Sequence, residues 1–255
     1  MQAFDHEVPY YDRQFTDAPI GRLQRKLVWQ VLMHYLPDHT MHVLETNAGT
    51  GPDALWLQQA GHRVIPTDAS SAMVERMRKK GLDAHIWDIN DTVPVELRQQ
   101  RYDLVFSNFS GWNCVDEQAL SALSDELAEC TTDKAVVVTV LFGRWVVWEY
   151  LYFFFRLQWK QIFRRLRKQT DAFVGGTTIP VWYHRKRDMQ TAFDAHFDLI
   201  AHYPVGSFLP PTYLQPLNRF RGLLKFLFLF DTLMTRWRIC PDTADHTVYV
   251  FRRKP

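Results

Sequence analysis

Cysteine is scarce in this 255-residue chain: the three thiols, Cys114, Cys130 and Cys240, are far apart and lack metal-site spacing. That excludes a disulfide framework and a cysteine-built metal centre, and it favours a reducing compartment. Long apolar runs are missing too. The longest, 145–155 and 223–234, are interrupted by Glu149 and by Lys225 and Asp231. Both fall short of the about 20 residues that cross a bilayer as a helix. The opening MQAFDHEVPYYD is polar and acidic, which speaks against a secretory signal, so the expected location is cytoplasmic. Charge of one sign is lacking as well. Thirty basic residues face 28 acidic ones, a net charge of +2, so no whole-molecule field announces a nucleic-acid partner. No internal repeat or low-complexity tract breaks the chain.

What is present is a large apolar fraction, 47%, and an unusual aromatic share of 15%, much of it in 145–163. Residues 17–36 read as a helix, with Thr16 or Asp17 as cap, Pro19 in the first turn and Pro37 as terminator. Strands at 41–45, 63–67 and 83–87 then alternate with helices at 52–60 and 70–80. Gly61 and Gly81 close those helices, and basic residues fill the last turn of the second. Strands at 102–107 and 134–142 flank a helix at 117–130. This alternation predicts a doubly wound α/β fold, a parallel sheet covered on both faces. After Phe142 the rhythm stops. Residues 144–168 form an aromatic, basic, helix-like stretch, followed by the loop Val174-Gly175-Gly176-Thr177-Thr178. A helix at 188–195, a strand at 197–203, one long or two short helices at 214–237 and a strand at 246–253 complete the reading. The expected organisation is a single domain: an N-terminal helical lid (1–37), a ligand-binding core (38–142), a helical insertion (143–180) and the C-terminal part of the core (181–255).

The run Val43-Leu44-Glu45-Thr46-Asn47-Ala48-Gly49-Thr50-Gly51 leaves a strand and enters a helix. Gly49 and Gly51 let a ligand approach the backbone closely. With Ala54 the loop also fits a dinucleotide fingerprint. Glu45 separates the two readings. A pyrophosphate beside that carboxylate would be repelled by about 4 kcal/mol at ~4 Å and an effective dielectric of ~20. S-adenosylmethionine (SAM) has no phosphate and carries an ammonium and a sulfonium, so the acid favours it. Asp68, 17 residues past Gly51, ends the second strand, where it can accept from ribose hydroxyls. Asp88 follows the third strand and can accept from an adenine amine, while the Ile89 backbone N–H can donate to a ring nitrogen. Three acids at successive strand ends lie on one rim of a parallel sheet, where ligands bind in such folds.

These residues resemble the class I SAM-dependent methyltransferases. The family's acidic residue plus G-x-G-x-G is matched by Glu45 to Gly51, with Asn47 where glycine is usual; Asn tolerates left-handed backbone. Thr67-Asp68-Ala69-Ser70-Ser71-Ala72-Met73 resembles the ribose segment D-x-S-x-x-M. Tyr102-Asp103-Leu104-Val105-Phe106-Ser107-Asn108-Phe109 resembles the fourth-strand motif. The likeness covers 40–142, and more faintly 181–203 and 246–253. It implies a seven-stranded Rossmann-like sheet of order 3-2-1-4-5-7-6 with the last strand antiparallel, SAM as cofactor, and methyl transfer. It implies cofactor contacts at Glu45, Thr46, Asn47, Gly49 and Gly51, at Asp68, Ala69 and Met73, and at Asp88, Ile89 and the Asn108 backbone. The segment 4–13 resembles the Tyr-Asp lid of small-molecule members, so Tyr11 would cover the methionine portion and Arg22 or Arg25 would pair with its carboxylate.

Tyr11 and His184 are the candidates for a catalytic role; no metal is implied. In the family the segment after the fifth strand shapes the acceptor site, so Trp145, Trp148 and Tyr152 are candidate substrate contacts, and Trp112, in the loop after the fourth strand, joins them. The expected acceptor is an O or N atom of an apolar or aromatic small molecule. An RNA methyltransferase and a non-catalytic SAM-fold protein are the alternatives, the former ranked lower for want of a basic stripe on the acceptor rim. For 144–168 three readings stand: a lid over an apolar pocket, peripheral contact with an anionic membrane, or packing against 223–230 of the same chain or of a homodimer partner.

Overall fold

The computed structural model describes residues 12–174 and 176–255. Its elements follow the expected alternation. They are α1 (Pro19–Leu32), β1 (His42–Thr46), α2 (Pro52–Gln59), β2 (Arg63–Asp68), α3 (Ser71–Lys79), β3 (His85–Ile86), α4 (Val95–Arg98), β4 (Tyr102–Ser107), α5 (Glu117–Cys130) and β5 (Thr131–Phe142). Then come α6 (Val147–Phe155), α7 (Trp159–Ile162), β6 (Gln169–Val174), β7 (Thr177–Trp182), α8 (Lys186–Phe193), β8 (Phe197–Val205), α9 (Arg221–Trp237) and β9 (His246–Arg253). The seven-stranded sheet runs β3-β2-β1-β4-β5-β9-β8. Its first five strands pair in parallel, and β9 runs antiparallel to both β5 and β8. With the separate β6–β7 hairpin set aside, that is the order the resemblance implies.

The period-2 alternation of each strand explains the two cores. Val43, Leu104, Phe106, Val138 and Val248 face one layer, packed with Leu27, Val28 and Val31 of α1. Leu44, Val105, Val137 and Phe251 face the other, packed with Leu123 and Leu127 of α5 and Phe193 of α8. Side chains of successive residues point to opposite faces, so a strand covered on both sides reads as continuously apolar. Side-chain caps fix the helix starts: Ser70 accepts from the Met73 N–H at 3.2 Å and Asp116 from the Ala119 N–H at 2.8 Å.

The insertion differs from the expected continuous helix-like stretch. Leu157 adopts a left-handed φ of 55°, which ends the first helix after nine residues, and α7 is a single turn. The expected loop 174–178 lies at the turn of the β6–β7 hairpin. Its strands, QTDAFV and TTIPVW, are rich in β-branched and aromatic residues, and Gly176 lies in the turn between them. The third strand shrinks to two residues, and α4 is a short helix the sequence pattern did not reveal.

Candidate active site

The carboxyl ends of β1 to β5 meet at one rim, and the glycine loop leaves β1 there. Asn47, Gly49 and Gly51 all take positive φ, of 54°, 58° and 80°. Asn47 therefore occupies the family's glycine position in the left-handed conformation expected of it. Room for its side chain comes from Gly111: a Cβ there would lie 2.4 Å from the Asn47 Cβ. Asp68 ties the loop to the end of β2. Its Oδ2 accepts from Gly49 N–H at 2.9 Å and its Oδ1 from Ser70 N–H at 2.9 Å.

A cleft of about 240 Å³ opens over this loop. Eight residues expected at the cofactor line it: Asn47, Gly49, Asp68, Ala69, Met73, Asp88, Ile89 and Asn108. Asp88 Oδ1 also closes its own turn, accepting from the Asn90 backbone N–H at 3.0 Å. Glu45, Thr46 and Gly51 lie beneath the loop. Thr46 is buried and accepts from the Trp112 indole N–H at 2.9 Å. Glu45 is 1% exposed and its Oε2 is without a hydrogen-bond partner among the described residues. Burial, then Asp53, push its carboxyl well above the usual range; Arg25 works against them and Asp68 with them.

Asp53, at the start of α2, gathers three elements. It accepts from Arg25 Nε at 3.3 Å, from the Trp29 indole N–H at 2.6 Å and from Asn108 Nδ2 at 3.0 Å. Arg25, a basic residue from α1, is thereby buried beside the glycine loop, whereas Arg22 is exposed and pairs with Asp17. The N-terminal segment docks on the glycine loop and on α3 through Asp12, which accepts from the Thr50 hydroxyl at 2.5 Å and from Arg76 Nη2 at 2.6 Å. Tyr11 lies outside the described residues.

After β4 two non-glycine residues in succession adopt left-handed backbone, Phe109 at φ 46° and Ser110 at φ 69°. Such a pair costs on the order of 1–3 kcal/mol per residue and persists where the surroundings over-determine it. Here it turns Phe109 between the cofactor cleft and a second cavity of about 440 Å³. Ser110, Cys114 and Ile179 also border both. The second cavity has apolar walls from Phe109, Phe142 and the hairpin residues Ala172, Phe173, Ile179 and Val181.

Its floor is charged. His246, the first residue of β9, sits with its ring 5.3 Å from both Phe109 and Phe142. Its Nδ1 is 3.3 Å from Asp245 Oδ2. Among the described residues no hydrogen bond engages its Nε2. Arg165 Nη2 donates to Asp245 Oδ1 at 2.9 Å, and Arg165 Nε donates to Glu149 Oε2 at 2.7 Å. Gln24 Nε2 adds a bond to Asp245 Oδ2 at 3.2 Å. Burial works the other way, yet His246 and Arg165 beside it hold the Asp245 carboxyl well below the usual carboxylate range. Asp245 thus sets a buried carboxylate beside the imidazole, whose Nδ1 makes no hydrogen bond among the described residues.

The expected substrate contacts do not meet at this cavity. Trp112 is fully buried, stacked on Phe193, a core residue. Trp148 donates to the Phe208 carbonyl at 2.8 Å, and Tyr152 packs edge-on against Tyr213. Trp145 borders a different recess with His184. His184 is itself buried, its Nε2 3.0 Å from the Val115 carbonyl, and burial lowers its pKa despite that bond and one to Trp112. It serves as a structural link between the 111–115 segment and α8. The sequence reading missed Phe109, Arg165, Asp245 and His246. The dipeptide Asp245-His246 at the mouth of the last strand was the available signal, because that end of β9 lies at the reactive rim beside Phe142.

Residues 43–134 match a family model described as a methyltransferase domain. A search of curated protein sequences returns no match. Among solved structures, the DhpI–SAH complex is similar with TM-score 0.60 at 14% identity, over 99% of this chain and 94% of that one. The CcbJ methyltransferase from Streptomyces caelestis aligns with TM-score 0.58 at 13% identity, over 91% and 90% of the two chains. An S-adenosylmethionine-dependent methyltransferase from Mesorhizobium loti aligns with TM-score 0.56 at 14% identity, over 89% and 98%. The fold and the matched core define a methyltransferase domain. The sheet order outside that core is also the one the resemblance to the class I SAM-dependent methyltransferases implies, so the chain shares their fold from end to end of the sheet.

Proposed function

We propose that this methyltransferase carries the methyl of SAM to an oxygen or nitrogen of an apolar or aromatic small molecule held in the cavity over His246. The observation that carries the reading is the junction of two unlike spaces: a cleft rimmed by acids at strand ends opens, past Phe109, into an aromatic cavity with one histidine–aspartate pair at its floor. The cleft fits a cationic, phosphate-free nucleoside. Asp68 and Asp88 offer acceptors to hydroxyl and amine groups. The unpartnered Oε2 of Glu45 and Oδ1 of Asn47 lie beneath the loop where positive charge would compensate them. Two solved structures with this fold are described as an SAH complex and as an SAM-dependent methyltransferase, which is in keeping with that ligand.

Bound SAM supplies an electrophilic methyl. This chain's residues do the rest. Asp68, Asp88 and the glycine loop fix the nucleoside, and Arg25, held by Asp53, faces the border of the two spaces with a fixed positive charge. Phe109, Phe142 and the hairpin exclude water and hold the acceptor plane, so alignment supplies much of the rate. His246 takes the proton of an O–H or N–H acceptor as the new bond forms, while Asp245 holds the imidazole. The test is incubation with methyl-labelled SAM and fractionated extract, followed by identification of the labelled product. Label in an apolar small molecule is the expected result; label in RNA would overturn the acceptor assignment.

A further inference from the structure

The long C-terminal helix is apolar on both sides. Leu224, Asp231 and Thr235 of α9 are buried against the body. On the other side Leu223, Phe226, Phe230, Leu233 and Trp237 form an exposed stripe along 17 residues, about 25 Å of helix. The insertion carries a second stripe. Val147, Leu151, Phe154 and Phe155 share one face of α6, and Leu157, Trp159 and Phe163 extend it; all are exposed, Phe155 at 77%. Phe208 joins the two: its ring is 5.5 Å from Phe230 and its carbonyl accepts from Trp148. Half of the about 150–250 Å² of an aromatic side chain, repeated over these residues, gives on the order of 1,000 Å². The largest apolar patch of an ordinary monomer is about 300–600 Å².

Charge decides what covers this surface. Residues 143–168 and 206–239 hold twelve basic residues against two acids, while the remaining 195 residues hold 18 basic against 26 acidic. The near-neutral total therefore hides a strongly positive region. Its two acids, Glu149 and Asp231, are each 1% exposed and turned inward. Glu149 is held by Arg164 and Arg165, and Asp231 by the N–H groups of Ser207, Phe208 and Leu209. The exposed charges beside the stripes, Arg156, Lys160, Arg167, Arg221, Lys225 and Arg236, are all positive. A second copy of this face would bring positive against positive. An anionic lipid surface matches both features, taking aromatics into its interface and basic side chains among its headgroups.

We infer that the face formed by α9, α6 and 157–168 docks on an anionic lipid bilayer surface, lying in the interface without crossing it. No helix among the described residues is long and apolar enough to span a membrane. The cavity over His246 opens beside this face, since Tyr213 lines it and packs 5.4 Å from Tyr152 of α6. An apolar acceptor dissolved in the bilayer would thus enter directly. Docking does not depend on the methyl-transfer reading, and a chain that docks but transfers nothing leaves this inference standing.

The test is co-sedimentation of the full chain with phosphatidylcholine vesicles, alone or with about one third phosphatidylglycerol, together with light scattering to count copies. The expected result is a soluble monomer that binds the anionic vesicles at least about tenfold more tightly than neutral ones, and less as salt rises. Phe226→Ser with Phe230→Ser on α9, or Arg156→Glu with Lys160→Glu, should each cut anionic binding about tenfold or more. Thermal melts of each variant verify folding. Equal, negligible sedimentation with both vesicle types overturns the inference. So does a dimer that Phe226→Ser with Phe230→Ser dissolves, which would assign the face to a second copy. Salt-sensitive binding to RNA that the serine pair leaves intact, without vesicle binding, also overturns it.

Discussion

On the cofactor side, the two carboxylates that line the cleft are held by backbone. Asp68 takes the N–H groups of Gly49 and Ser70, and Asp88 takes that of Asn90. On the acceptor side they are held by guanidinium: Glu149 by Arg164 and Arg165, Asp245 by Arg165. A backbone-held acid half-open to the cleft keeps spare lone pairs for a ligand at little cost. An acid buried under Arg165 is committed to the fold, and what it offers the site is indirect, a fixed carboxylate beside the His246 ring. The first arrangement suits recognition of one unchanging nucleoside. The second builds a rigid floor under a cavity whose walls can vary.

The sharpest way to break this contrast is to remove Arg165. It donates to Glu149, Asp245, the Gly143 carbonyl and the Asp245 carbonyl at once, and it is nearly fully buried. Arg165→Met should destabilise the chain by about 3–5 kcal/mol, because buried Asp245 loses its guanidinium and Glu149 keeps only Arg164. Asp68→Ala on the other side should cost about 1 kcal/mol in stability yet abolish most of the SAM-induced rise in melting temperature. Urea titration of both variants, with and without SAM, checks the pair. Similar stability losses would erase the distinction.

His246 comes next. With the acceptor identified, His246→Asn should lower kcat by about 100-fold or more while leaving SAM affinity within a few fold. Added imidazole should restore part of the loss, because a diffusible base can enter the space the ring vacates. An unchanged kcat would mean that the acceptor arrives already ionised and that the histidine only shapes the cavity.

How much of this was legible depended on which force placed each residue. The order of the strands, the covered sheet and eight cleft residues follow from local periodicity and from a glycine loop whose conformation is set by the backbone itself. Asn47 was visible as a departure, but not the room that Gly111 gives it, because that contact joins residues 64 positions apart. Trp112 carried an attractive signal at the rim, yet the Thr46 hydroxyl and the Phe193 ring draw it into the core. The insertion read as one helix-like stretch because it is apolar nearly all round in its first half and helically spaced in its second; nothing local marks Leu157 as left-handed. The Arg165–Asp245 pair spans 80 residues, a separation at which a single sequence carries no register.

Glu45 sharpens the comparison from the cofactor side. Its carboxyl is raised well above the usual 4.5 by burial and by Asp53, so the empty fold favours the proton. The penalty of ionising it is absent below the unfolded-state value and grows as pH rises toward the folded-state one. Glu45→Gln should therefore raise the melting temperature of the SAM-free chain at pH 8 and leave it nearly unchanged at pH 4. The same variant should weaken SAM by about 1.5–3 kcal/mol, because a neutral amide no longer compensates the cation. Thermal melts at the two pH values read the first effect, and isothermal titration with SAM reads the second. Unaltered SAM affinity would remove Glu45 from the recognition scheme and leave it a buried acid of the loop.

The smallest effect is expected where the N-terminal segment meets the cofactor side. Asp12 is partly buried. Burial raises its carboxyl, but the Thr50 hydroxyl and Arg76 prevail and hold it below 3.8. A depressed folded-state value means that the clamp is fully present above the unfolded value and is lost as pH falls through the folded one. Asp12→Asn keeps the shape but surrenders the charge, and should loosen the segment by about 0.5–1.5 kcal/mol at pH 7. Arg76→Lys should do nearly as much, since one ammonium cannot reproduce the Nε and Nη2 contacts to Asp12 Oδ2, at 3.0 and 2.6 Å. The readout is the rate of tryptic cleavage at Arg13, which both variants should speed up while urea midpoints scarcely move. SAM should slow the cut in the wild-type chain if the segment closes over the cleft, and the slowing should shrink in Asp12→Asn. Equal cleavage in all three proteins would detach the lid from the ligand and leave Asp12 a fastening of the helices alone.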